Sequence, residues 1–75
     1  MKIVSQNTIL ETLSKGGKIR WNTISALATL LSDTDEALGR IRFDTYCRIT
    51  RYAWIEKTGS DYSCDYYGKK ARCEA

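Results

Sequence analysis

The chain has 75 residues, with 12 basic and 9 acidic side chains, and it contains neither histidine nor proline. This length fits one small domain, and a composition of 43% hydrophobic and 28% charged residues is typical of a globular protein. Its apolar runs are far shorter than the roughly 20 residues that a membrane-spanning helix needs. The opening residues turn polar at once, so we predict no signal peptide and a cytoplasmic location.

The residues that usually carry catalysis or metal binding are sparse. Cys47, Cys64 and Cys73 form no Cys-x-x-Cys pair, and no histidine is present to complete a zinc site. We therefore expect free thiols and no metal or cofactor. Without histidine the chain lacks the usual general base near neutral pH, and no Gly-rich phosphate loop appears. We predict that the protein is not an enzyme.

Residues 5–15 carry the pattern of a helix. Ser5 is a good N-cap residue, since its hydroxyl accepts a hydrogen bond from an unpaired N–H of the first turn. Ile9, Leu10 and Leu13 then repeat at helical spacing. Gly16 and its neighbour Gly17 are suited to end the helix, because glycine tolerates a left-handed backbone. The basic residues around this end, Lys15, Lys18 and Arg20, are explained by the helix dipole.

Residues 18–43 are compatible with two structures. Residues 18–21 alternate polar and apolar side chains and predict a short strand. The apolar residues between 24 and 31 fit one face of a helix, which would give the usual helix-turn-helix order. Residues 28–31 also fit a strand, and residues 32–36 then form a turn before the alternating segment 39–43. In that case a β-hairpin replaces the middle helix.

Asp44 is an N-cap candidate for a helix over residues 45–54. Tyr46, Ile49 and Ala53 would share one face of this helix, and Arg48 and Arg51 would point nearly opposite. A helix with this distribution packs its apolar side on a core and offers two guanidinium groups to a partner.

The C-terminal third predicts a β-hairpin. Residues 54–57 form one strand, 58–61 the turn with Gly59, and 62–67 the return strand. On the return strand Tyr66 faces one way and Tyr67 the other. Residues 69–75 are expected to form a basic, mobile tail.

The order of these elements predicts an α+β, winged-helix-like single domain over residues 1–75, and residues 45–67 resemble the recognition helix and wing of small bacterial regulators. Leu13-Ser14-Lys15-Gly16-Gly17-Lys18-Ile19, followed by residues 28–49, is similar to the YjhX-type family of small bacterial and prophage proteins. That resemblance implies a hairpin over residues 28–43. It also implies a toxin-like role, inhibition of DNA topoisomerase I by protein contact.

Two functions follow as hypotheses. The first is a phage or prophage transcriptional regulator that binds double-stranded DNA with Arg48 and Arg51 in the groove, as a homodimer if the binding is sequence-specific. Its predicted nucleic-acid contacts are Arg40, Arg42, Arg48, Arg51, Lys57, Lys69, Lys70 and Arg72. The alternative is an inhibitor that binds a host protein, such as topoisomerase I or a defence complex, through Tyr62, Tyr66 and Tyr67.

Overall fold

The computed structural model describes residues 2–70, which form a five-stranded antiparallel sheet with two helices packed against one of its faces. In chain order the elements are α1 (Gln6–Ser14), β1 (Lys18–Asn22), β2 (Leu27–Leu31), β3 (Ala37–Ile41), α2 (Phe43–Ile49), β4 (Ile55–Ser60) and β5 (Cys64–Lys69). The strands lie in the order β3-β2-β1-β5-β4, so β1 is central. Ile3 adds a single parallel bridge to Arg40 at the outer edge of β3.

The predicted winged-helix-like fold is wrong, because the described part of the chain is mostly sheet and has two short helices. β1 pairs with β2 on one side and with β5 on the other, so both hairpins belong to one continuous sheet. α2 has seven residues and buries Tyr46 and Ile49 in the core. It therefore lacks the long exposed face of a recognition helix.

The first helix is confirmed together with both of its ends. The N–H of Thr8 donates to Ser5 Oγ at 3.3 Å, as expected of an N-cap serine. Gly16, just beyond the end of α1, has a φ of +101°, a conformation that disfavours any residue with a Cβ. Gly17 is buried, and a Cβ placed on it would lie 2.7 Å from the carbonyl oxygen of Leu31. The two glycines therefore allow the chain to turn sharply after α1 and to begin β1 in close contact with the end of the helix.

The middle of the chain is the hairpin, so the helical alternative for this segment is wrong. β2 and β3 are antiparallel, with Ala28 opposite Ile41. The turn between them is held by Ser32, whose hydroxyl oxygen accepts from the N–H groups of Thr34 and Glu36. These bonds satisfy backbone donors that a helix would have paired internally.

The second helix begins earlier and ends sooner than predicted. Arg42 occupies the N-cap position, and Asp44, the predicted cap, lies inside the first turn. Its carboxylate accepts from the N–H of Thr45 and pairs with the Arg42 guanidinium at 3.4 Å. At the other end the Thr50 hydroxyl donates to the Tyr46 carbonyl at 2.9 Å. Ala53, expected on the buried face, lies beyond the helix and is exposed.

The predicted C-terminal hairpin is present, with its turn displaced along the chain. Gly59 lies within β4, not in the turn, and the pairing register shifts between Lys57 and Gly59 as in a β-bulge. The turn falls on residues 61–63. Lys69, the first residue of the predicted tail, belongs to β5, and the N–H of Lys70 donates to the Trp54 carbonyl. Residues 71–75 lie outside the described residues.

The core lies between the two helices and one face of the sheet. Ile9, Leu13 and Ile49 from the helices and Ile19 and Leu30 from the sheet are completely buried. Burial of one such side chain contributes about 1.5–3 kcal/mol. Neither helix of residues 2–70 has the length and apolar character needed to cross a membrane.

Candidate nucleic-acid interface

β1 divides its side chains between two different environments. Ile19 and Trp21 point to the helices and belong to the core or pack against it. Because successive strand residues alternate in direction, Lys18, Arg20 and Asn22 project from the opposite face. No helix of the described chain covers that opposite face, which we call the open face.

A row of four side chains crosses the open face on adjacent strands. Arg20 lies opposite Thr29 on β2 and opposite Tyr66 on β5. Thr29 in turn lies opposite Arg40 on β3. The row therefore reads Arg40, Thr29, Arg20, Tyr66 from β3 to β5. Adjacent strands are about 4.8 Å apart, so the two arginines are separated by roughly 10 Å.

The two arginines of the row are unpaired within the described chain. The ion pairs among residues 2–70 are Lys18–Asp35, Arg42–Asp44 and Lys57–Asp65, and none of them includes Arg20 or Arg40. Lys18, one row away, binds Asp35 at 2.8 Å, and Glu56 lies opposite Gly68 in that same row. On the open face the carboxylates of Asp35 and Glu56 thus lie beside Lys18 or in its row. The row that contains Arg20 and Arg40 has no carboxylate.

A cavity of about 340 Å³ opens on this face next to the row. Its lining combines an aromatic ring, an aliphatic side chain, two cations, a carboxylate and a hydroxyl group. These residues are Lys18, Arg20, Leu31, Asp35, Thr58, Gly59 and Tyr66. Leu31 is only 3% exposed although it stands outside the main core, so it forms an apolar floor. Such a mixture suits a flat, polar-edged ligand.

The two arginines predicted to enter a DNA groove lie on the helix side of the sheet. Arg48 is in the last turn of α2, and its Nη1 donates to Gln6 Oε1 of α1 at 2.9 Å. Arg51 follows the helix and is exposed in the turn that leads to β4. The structure therefore does not bring them together with Arg20 or Arg40.

The remaining predicted basic residues are dispersed. Arg42, predicted as a nucleic-acid contact together with Arg40, does not share a strand face with it, because β3 ends at Ile41 and Arg42 begins the turn into α2. Lys57 pairs with Asp65 at 3.3 Å. Lys69 and Lys70 are exposed at the end of β5, and the predicted contact Arg72 lies outside the described residues.

The three predicted tyrosines occupy three different settings. Tyr62 is 97% exposed in the turn between β4 and β5. Tyr66 belongs to the open face, whereas Tyr67 packs edge-on against Tyr46 at 5.8 Å between ring centroids. Tyr46 is itself stacked on Trp21 at 4.4 Å. Burial, reinforced by the nearby Tyr67 hydroxyl, raises the pKa of Tyr46 above its ordinary value.

The sequence reasoning missed Lys18 and Arg20 as site residues. Both follow the end of α1 closely, and the helix dipole was a sufficient explanation for their charge. The signal that identifies them is the alternation over residues 18–21, which puts two cations on the same side of a strand. Only the pairing of β1 with β5 shows that Tyr66 joins them.

No family model matches the sequence, and no match was found among curated proteins or solved structures. The resemblance to the YjhX-type family, and the inhibition of topoisomerase I that it implies, therefore stay predictions.

Proposed function

We propose that this protein binds single-stranded nucleic acid on the open face of its sheet. The observation that carries the proposal is the row in which Arg40 and Arg20, without intramolecular partners in residues 2–70, lie in register with Tyr66. A guanidinium group binds phosphate oxygens through a planar pair of N–H donors. An aromatic ring on a sheet surface stacks with an unpaired base.

The width of the face favours a single strand over a duplex. A helix or a two-stranded ribbon fits the major groove of DNA, which is about 12 Å wide. Five strands spaced by about 4.8 Å span roughly 19 Å, so the sheet is too broad to enter that groove. A single strand of nucleic acid can lie across such a surface with its bases turned toward the protein.

The spacing of the charges fits a chain of phosphates. Arg20 and Arg40 are separated by one intervening strand, or roughly 10 Å, so each guanidinium group contacts a different phosphate. Thr29 lies between them and offers a hydroxyl group to the backbone. Tyr66 lies at the end of the row, where the base next to these phosphates stacks.

Fluorescence anisotropy with short labelled oligonucleotides tests the proposal. Single strands of DNA and RNA and the matching duplex are titrated with protein at low and at raised salt. We expect the single strands to bind more tightly than the duplex and to lose affinity with salt, because phosphate contacts release counterions. The double variant Arg20→Ala/Arg40→Ala weakens binding at least about tenfold and reduces the salt slope by about 1.4.

The matched control is Arg48→Ala/Arg51→Ala, which removes the same charge from the helix side and leaves binding nearly unchanged. An equal or larger loss in this control would move the interface to the helix side. No binding of any oligonucleotide at low salt, with capture of a host protein through Tyr62 or Tyr66, would instead support the protein-binding inhibitor predicted from the sequence.

A further inference from the structure

We infer that the cavity on the open face is a subsite for one unpaired guanine base, an inference that rests on the proposed function. The volume of about 340 Å³ falls in the range of small-ligand pockets, about 300–1,000 Å³. Tyr66 supplies a ring for stacking and Leu31 an apolar floor. Gly59 leaves the neighbouring wall open, since a Cβ placed there meets nothing within 4 Å.

The polar edge of the cavity selects the base. Lys18 Nζ lies 2.8 Å from Asp35 Oδ1, so an ammonium donor stands directly beside a carboxylate acceptor. Guanine presents the O6 acceptor beside two neighbouring N–H donors, at N1 and N2. The two donors fit the two oxygens of one carboxylate, and O6 fits the ammonium group. Adenine and cytosine offer the carboxylate only one amino group.

The loop that holds the carboxylate is fixed before any ligand arrives. The N–H of Asp35 donates to the Ser32 carbonyl at 2.9 Å, and the Ser32 hydroxyl accepts from two further N–H groups of the same turn. Asp35 itself has a φ of +66°, which aspartate and asparagine tolerate better than most residues. Its side chain is still 65% exposed, so the carboxylate is accessible.

The phosphate of the same nucleotide has a partner at the cavity wall. Arg20 lines the cavity and lies opposite Tyr66 in the sheet register. A base stacked on Tyr66 therefore brings its own or its neighbour's phosphate to the Arg20 guanidinium. One nucleotide thus contacts the arginine row and the cavity together.

The inference is tested with oligothymidine strands in which one central position is changed to guanine, adenine, cytosine or an abasic site. The same set is prepared as RNA, with uracil in place of thymine. We expect the guanine strand to bind about tenfold more tightly than the abasic strand, within the range for stacking on an aromatic side chain. Tyr66→Leu removes most of that difference. The control Tyr62→Leu, at a tyrosine that is 97% exposed in the turn, keeps it.

Asp35→Asn isolates the polar edge, and asparagine keeps the left-handed backbone, so the turn folds as before. This variant should lose the preference for guanine over adenine while the salt slope stays unchanged. Asp33→Asn makes the same change of charge in the same loop and should keep the preference.

Three outcomes of the binding measurements would contradict the inference. Equal binding of guanine and abasic strands, with the dependence on Arg20 and Arg40 intact, overturns the guanine subsite and leaves the proposed function standing. A preference for a different base overturns the assignment of guanine. Failure of every strand to bind at low salt overturns both the subsite and the proposed function.

Discussion

Arg20 and Tyr66 lie directly opposite each other on the central pair of strands, β1 and β5, and both line the cavity on the open face. Directly opposed residues have Cβ atoms about 4.5–5.5 Å apart. A guanidinium group and an aromatic ring at this distance can contact the same nucleotide, as the proposed function requires.

This juxtaposition predicts coupled effects on binding. In a double-mutant cycle with Arg20→Ala and Tyr66→Leu, the double variant should lose less affinity for a guanine-containing single strand than the sum of the two single losses. A coupling of at least about 0.5 kcal/mol is expected of residues that share a ligand. Independent, additive losses would show that the two side chains serve separate sites.

Gly17→Ala should destabilise the fold by about 2–3 kcal/mol. A Cβ at this position would overlap Thr12 Cγ2 and lie 2.7 Å from the Leu31 carbonyl oxygen, so the backbone must shift. Urea denaturation followed by circular dichroism measures the loss. Gly59→Ala is the matched control, since a Cβ there has no neighbour within 4 Å, and a similar loss in it would contradict this explanation.

Ala26→Gly should stabilise the protein by about 0.5–1 kcal/mol. Ala26 closes the β1–β2 turn with a φ of +57°, held there by its N–H bond to the Asn22 carbonyl at 2.8 Å. Glycine removes the steric cost of that conformation. Thermal unfolding shows whether the substitution raises or lowers the stability of the fold. Ala37→Gly, on β3, should lower stability instead, and a gain there would point to a general effect of glycine.

Alkaline pH should destabilise the protein through Tyr46. Burial raises the pKa of this phenol, so above about pH 10 the unfolded chain loses a proton that the folded chain keeps. The stabilisation is complete below that pH and declines as the pH rises further. Denaturant titrations at increasing pH should show a shallower decline for Tyr46→Phe. Tyr62→Phe, at an exposed tyrosine, should follow the wild type.

Gln6→Ala should cost about 1–2 kcal/mol of stability. The Gln6 amide accepts from Arg48 at 2.9 Å and donates to the Tyr52 hydroxyl at 2.9 Å, so it joins α1 to α2 and the segment after it. Asn7→Ala removes an amide from an exposed position on the same helix and should have little effect. Because alanine favours a helix more than either amide, equal losses in both variants would contradict the assignment of the loss to the Gln6 bridge.

Local patterns in the sequence were sufficient for some of these elements. Ser5, the apolar repeat and Gly16 predict α1, because an N-cap, a stripe and a left-handed end are all local features. The alternation over residues 18–21 likewise predicts β1. The start of the second helix is wrong in the prediction because Asp44 has the side chain of an N-cap residue, although Arg42 holds that position. Its end is predicted too late because the Thr50 hydroxyl bond to the Tyr46 carbonyl is not visible in the sequence.

The sheet and the site depend on distant pairing. β1 contacts β5 across more than forty residues, with Arg20 opposite Tyr66, and no local period encodes that register. The winged-helix interpretation followed from the order of elements alone, which does not determine how two hairpins join. The order of elements therefore predicted a site at Arg48 and Arg51 on the helix side, whereas the register places Arg20 and Arg40 in one row on the open face.

The stack of Trp21 on Tyr46 gives the molecule a built-in optical probe. Trp21 neighbours Arg20 along β1 but projects to the helix side, where its ring lies 4.4 Å from that of Tyr46. A ligand on the open face therefore does not contact the indole, and a change in Trp21 emission on binding reports an effect that passes through the sheet to the helix side. Trp54 lies near Tyr52 instead, so a Trp54→Phe variant would isolate the signal of β1.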